Sequence, residues 1–202
     1  MGQDRDVDRH ARRLLAALDR EGILLQHDKV LPSASALVAG EPVIGSWWAH
    51  PMAHRIYDAL NALEDSGQAL RLKLVAGKVT LVARRLWPDV LAVVTERARW
   101  QTDRLTVADR RLLAVVDEAL EPVLLDGVTR DAGRRIESGL LAFADQVHLP
   151  TGRHAKGLLG WERWANGPAV EPASDAAASR ARIESIVQGW GSAKWLLPWS
   201  SA

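Results

Sequence analysis

The chain has 202 residues, 48% hydrophobic and 25% charged, an ordinary globular composition that excludes a wholly disordered polypeptide. Lys and Arg number 26 against 25 Asp and Glu, giving a formal net charge of +1. That balance excludes a protein living mainly on bulk attraction to phosphate but leaves room for a local basic face. There is no cysteine, which excludes disulfide frameworks and thiolate zinc sites.

The N-terminal stretch MGQDRDVDRHARR is charged and has no apolar core, so neither a secretory signal nor a myristoylation signal is expected there. No apolar run approaches the roughly 18 residues that cross a bilayer. A soluble, cytoplasmic protein that avoids membranes is expected. Nine Trp stand against one Tyr and one Phe. Trp fills a core or stacks on a base, and core packing is the default for each of them.

In chain order, Val7, Ala11, Leu14, Leu15 and Leu18 share a helical face, predicting a helix over 7–20 closed by Gly22. Ser33 to Ala39 suits a brief helix, and Glu41-Pro42 with Gly45 marks a loop before SWWAH. Pro51 favours the first turn of a helix running to about Asp65 and burying Ile56, Ala59, Leu60 and Leu63. In QALRLKLV, Leu70, Leu72 and Leu74 alternate with Arg71 and Lys73; Ala76-Gly77-Lys78 turns the chain and VTLVAR returns it. Residues 88–98 read as a helix and Trp100 to Leu105 as a connector. Thr106 and Asp109 form a capping-box-like start, with Leu105 as a staple. The helix behind it, 107–120, is expected to bury Leu112, Leu113, Val116 and Leu120. A helix over about 129–138 and a second hairpin over about 140–160 follow, the latter interrupted by Gly157 and Gly160. After Trp164 the stretch ANGPAVEPASDAAAS reads as a linker, then a helix over about 175–188. The tail GWGSAKWLLPWSSA is expected to dock its three Trp on the body.

One pattern occurs twice. A helical stretch ends at Ser-Gly, at Ser66-Gly67 and again at Ser138-Gly139, and two short strand-like runs around a basic turn follow each. Helix then hairpin is the core of a winged helix. The expected fold is therefore α+β and mainly helical. It would hold tandem winged-helix units at 1–100 and 101–165, then a linker, helix and Trp-rich tail at 166–202.

Three groups of side chains carry candidate chemistry. On the first hairpin, Arg71, Lys73, Lys78, Arg84 and Arg85 could straddle a groove and pair with phosphates, although alternating charge is also the default for a half-buried hairpin. At the start of the 51–65 helix, Trp47, Trp48, His50 and His54 could meet a phosphate or a base, or Trp47 and Trp48 could cover the core. In DQVHLPTGRHAK, His148, Thr151, Gly152, Arg153, His154 and Lys156 make a basic, hydroxyl-bearing turn whose Gly lets backbone approach phosphate. Two histidines six apart, with no third ligand nearby, make only a weak metal site, and no metal or cofactor is expected. GxGxxG, GxxxxGK[ST], HExxH and GxSxG are all missing.

GSWWAHP, KLVAGKVTLVARRLWP and VHLPTGRHAKGLLGWERWA resemble a bacterial family related to the AlkZ/YcaQ-type DNA glycosylases, over roughly residues 20–165. The resemblance implies tandem winged helices and action on alkylated or crosslinked bases. The catalytic signature of those enzymes is Gln-x-Gln or Gln-x-Asp. The nearest spelling here, Gln146-Val147-His148, departs at its last residue, so catalysis is not carried onto it.

The leading expectation is a tandem winged-helix protein that grips double-stranded DNA in repair, damage response or regulation. A DNA glycosylase is the enzymatic alternative, and a protein-interaction module using the Trp-rich tail is a third. A homodimer is left open by the sequence.

Overall fold

The computed structural model describes the backbone of residues 2–191 and 196–201 and the side chains of 9–191 and 196–200. The expected contacts of Val7 and Trp195 lie outside those side chains. The fold is α+β, about 51% helical, with two small three-stranded antiparallel sheets. It divides into two compact units, Met1–Trp87 with Arg182–Leu196, and Pro88–Ala181 with Leu197–Ala202. The division falls before the 100/101 boundary drawn from sequence, and chain from beyond residue 165 belongs to both units.

In the first unit, α1 (Gly2–Glu21) buries Leu14, Ala17 and Leu18 and ends at Gly22, whose φ of 81° suits a residue without Cβ. β1 (Ile23–Leu25) follows, then α2 (Ala34–Ala39). The Ser33 hydroxyl accepts the Ala36 N–H at the start of α2, and Gly40 closes it in the left-handed region. A 3-10 turn, Trp47–Ala49, leads into α3 (Ala53–Asp65). This helix starts two residues after Pro51, at Ala53, and buries Ile56, Ala59, Leu60 and Leu63.

β2 (Ala69–Val75) and β3 (Lys78–Ala83) are joined at Ala76 and Gly77, both left-handed with φ of 54° and 65°. Two consecutive left-handed residues match the natural twist of a hairpin. The sheet order is β1-β3-β2. One face of it meets Leu14, Leu18, Ile56, Leu60 and Leu63 through Leu24, Leu81 and Ala83. Leu70, Leu72 and Leu74 point the other way and are buried too. Arg71 and Lys73 are therefore half-buried, where an exposed strand face was expected.

The second unit has a sheet of the same strand order and, among the described residues, no counterpart of α2 between its first strand and its hairpin. α4 (Trp87–Thr95) leads in, and the expected connector contains a short helix, α5 (Arg99–Thr102), because the Gln101 amide oxygen accepts the Ala98 N–H. α6 (Val107–Glu118) carries the capping box foreseen at Thr106 and Asp109. It stops at Glu118, Ala119 turns extended, and Leu120 is left 70% exposed where burial was expected.

β4 (Val123–Leu124), α7 (Arg130–Ser138), β5 (Phe143–His148) and β6 (His154–Leu159) follow, with sheet order β4-β6-β5. β6 runs unbroken through Gly157, where a glycine is needed because a Cβ would stand 2.8 Å from Val147 and 3.0 Å from Pro122. Gly160 caps the next helix, α8 (Trp161–Asn166), so the irregular stretch begins only at Gly167. The core of this unit holds Leu112, Leu113, Val116, Ile136, Leu141 and Leu158.

α9 (Ala176–Gln188) packs Ser179 against the Asp89 carboxylate at 3.0 Å in the second unit and buries Ile183 and Val187. Of the tail, the Leu196 carbonyl accepts the Ala76 N–H at the first hairpin's turn, and Leu197 is buried. Trp199 meets Trp100 edge-on at 5.7 Å, and Trp190 is half-buried.

The two Ser-Gly pairs do close equivalent helices, α3 and α7. Their backbones differ: Gly67 takes φ 64°, whereas Gly139 stays at −80° and Leu140 adopts 51° instead.

Candidate nucleic-acid interface

The first hairpin's cations are engaged within their own unit. Arg71 lies on the α3 side of β2 and pairs with Glu64 at 2.9 Å. The Lys78 ammonium meets Asp28, a carboxylate that is 7% exposed as a whole residue. Burial pushes the Asp28 carboxyl up, but the Leu31 and Val30 N–H groups and Lys78 outweigh it and hold the pKa at about 2. Arg84 donates to the Gly67 carbonyl at 3.0 Å and lies 4.9 Å from the centre of the Trp87 ring. Arg85 donates twice to the Asp19 carbonyl. Lys73 is half-buried on β2.

At the head of α3, Trp47 is buried and Trp48 is 60% exposed, stacked on it with ring centres 4.0 Å apart. Tyr57, from the next helical turns, tilts against Trp48 at 5.5 Å. His50 accepts the Met52 N–H through Nδ1 and sits 3.6 Å from the Glu41 carboxylate, so its ring helps to shape the helix entry. His54 is exposed. Core packing thus describes Trp47 and not Trp48.

The second hairpin is arranged differently. Side chains alternate across a strand, so Gln146 and His148 share the face that Ala144 presents to the core. Register places Lys156 opposite Gln146 and His154 opposite His148 on that same face. Lys156 reaches Glu137 in the last turn of α7. Arg130, Arg134 and Glu137 form one stripe of α7, since residues three and four apart are neighbours on a helix. A continuous polar strip results: Arg130 and Arg134, then Glu137 with Lys156, then Gln146 and the two histidines.

The His148 and His154 rings touch, with centres 4.0 Å apart. Beyond them the turn exposes Thr151, Gly152 and Arg153; Gly152 takes a left-handed φ of 76°, and no atom lies within 4 Å of where its Cβ would be. Arg130 and Arg153 have no carboxylate partner among the described residues, and Arg134 has only Asp131 at 3.6 Å.

Behind the strip, Asp109 fixes α7 to α6. Fully buried, it accepts the Arg135 Nε–H at both carboxylate oxygens, the Arg135 Nη2–H at one of them, and the Thr106 N–H. Arg135 in particular holds the Asp109 carboxyl below the usual range. This bond fixes the orientation of the helix that carries Arg130 and Arg134.

Arg130, Arg134 and Glu137 were not singled out from the sequence, although their spacing in RDAGRRIESG marks one helical stripe. The pairing of Glu137 with Lys156 depends on the hairpin's register and was not readable. Among the described residues no group of three or more His, Cys, Asp or Glu comes together, and no helix is long and apolar enough to cross a membrane. No protein-family model, no curated protein and no solved structure matches this chain.

Proposed function

We propose that this chain is a DNA-binding protein built of two winged-helix units, and that the α7 and β5-β6 face of the second unit holds duplex phosphate. The observation that carries the reading is the repeated arrangement itself. In each unit a short strand comes first and a helix ending at Ser-Gly leads into a hairpin, with the first strand pairing to the third; the first unit has the extra helix α2 between strand and α3. A helix beside a hairpin is a common way to place one element in a groove and the other along the backbone. A relation to the AlkZ/YcaQ-type family belongs to the same proposal.

Arg130 and Arg134 on the helix and Arg153 at the hairpin tip are the phosphate contacts. Lys156 adds charge that Glu137 partly cancels. His148, His154 and Gln146 share the hairpin face that Lys156 turns to α7, and Arg153 projects from the turn. Trp48 offers a stacking surface in the first unit.

The test is fluorescence anisotropy of a labelled duplex at rising salt. Affinity should fall linearly in log–log form, with a slope of about 0.9 per phosphate contact. A salt-independent affinity, or no binding at low salt, overturns the proposal.

One observation favours a second reading, a glycosylase acting on a base drawn out of the duplex. Gln146 and His148 share a face with His154 and with the Lys156–Glu137 pair, so an amide, two imidazoles and an ion pair surround one patch. Incubation with alkylated duplex should then yield abasic sites that disappear in Gln146→Ala and His148→Ala. No abasic product from the unaltered chain excludes it.

A further inference from the structure

We propose that His148 and His154 together form a binding site for one divalent transition-metal ion, of the Cu²⁺, Ni²⁺ or Zn²⁺ class. The proposal is independent of the nucleic-acid reading.

Six residues apart in sequence, the two histidines are direct cross-strand partners in β5 and β6. The next pair toward the turn, Leu149 and Arg153, carries the ladder bond, with the Leu149 N–H donating to the Arg153 carbonyl at 2.8 Å. His148 and His154 therefore occupy the non-hydrogen-bonded position, where opposed Cβ atoms come closest in an antiparallel pair. Their rings stand on one face, 4.0 Å apart at the centres and inclined by 55°. Two imidazoles held side by side by a ladder form a chelate whose backbone is already set. Only side-chain rotation is needed to aim one nitrogen from each at a common point about 2.0–2.1 Å away.

The surroundings suit a cation better than the residue count suggests. Lys156, the next side chain inward on this face, is compensated by Glu137. Arg153 falls on the alternate side of the ladder by the strand period. Both histidines are exposed, so an ion can reach them without unfolding. No third His, Cys, Asp or Glu joins them among the described residues, so the remaining coordination positions are left to water or to an exogenous ligand. This is the pattern of an open site rather than a closed structural one. Imidazole ligands favour Cu²⁺ over Ni²⁺ and Zn²⁺, and they discriminate against Mg²⁺ and Ca²⁺, which seek oxygen.

The experiment uses the full chain without an affinity tag, stripped with a chelator and titrated with Cu²⁺ in a non-coordinating buffer. Calorimetry should report one ion per chain, and electron paramagnetic resonance should show nitrogen ligation. His148→Ala and His154→Ala should each weaken binding by about tenfold or more, whereas His54→Ala should not. Mg²⁺ and Ca²⁺ should give no heat. A second measurement needs no substitution: bound Zn²⁺ should slow modification of His148 and His154 together by diethyl pyrocarbonate, and of no other histidine, as read by mass spectrometry. Equal affinity in either alanine variant, equal loss in His54→Ala, or absence of paired protection overturns the proposal.

Discussion

At position 28 a buried carboxylate accepts the Val30 and Leu31 N–H groups at 2.8 and 2.9 Å and holds the Lys78 ammonium. These partners favour the charged form, so the folded pKa of about 2 lies below the ordinary 3.8. The sign follows directly. A depressed carboxyl contributes its full stability above the unfolded value and loses it as pH falls from about 4 to about 2. Asp28→Asn should therefore cost on the order of 2 kcal/mol at neutral pH and flatten this part of the acid limb. Urea unfolding of both chains at pH 7 and pH 3 checks it; an unchanged difference between the two pH values would speak against Asp28 as the source. Nothing local in the sequence announced this pair, since Lys78 and Asp28 are 50 residues apart. Lys78 read from the sequence as a wing cation because only the fold brings Asp28 to it.

Among the secondary-structure elements, the most legible were those with a strong local signal. The alternation of Leu70, Leu72 and Leu74 gave β2, and Thr106 with Asp109 gave the start of α6. The capping box also shows where local reading stops. Asp109 accepts the Thr106 N–H at 2.9 Å as expected, but it also receives Arg135 from α7, 26 residues away. One carboxylate thus starts one helix and orients another. Thr106→Ala removes only the hydroxyl that accepts the Asp109 N–H, and should lower stability by about 1 kcal/mol with α7 still fixed. Asp109→Ala removes both functions and should cost distinctly more, because the Arg135 pair is lost as well. Chemical denaturation of the two variants checks the order. Equal losses would mean that Asp109 acts on α6 alone. Leu120 illustrates the opposite error: its helical spacing suggested burial, but the helix ends two residues earlier.

For the whole molecule, a net charge of +1 means that the placement of cations matters more than their number. Five basic residues crowd the first hairpin in sequence, which pointed to it as a generic grip on phosphate. In the fold, Arg71 and Lys78 are neutralised by Glu64 and Asp28, while Arg84 and Arg85 serve backbone carbonyls. The second hairpin carries fewer basic residues than the first, but Arg153 at its turn and Arg130 on α7 are not ion-paired among the described residues. The Arg134–Asp131 pair is two-thirds or more exposed on both sides, a class of contact worth well under about 1 kcal/mol. Phosphate can displace such a partner readily. If DNA is the ligand, the combined Arg130→Ala, Arg134→Ala and Arg153→Ala variant should lower the salt slope by about 2 to 3, since each lost phosphate contact removes about 0.9. Arg71→Ala should leave the slope nearly unchanged and appear instead as a loss of stability, because its charge is already met by Glu64. Anisotropy at four or five salt concentrations, with a melting curve for each variant, separates the two outcomes. The reverse pattern, a slope that depends on Arg71 and ignores α7, would return the grip to the first hairpin, with phosphate competing successfully against Glu64.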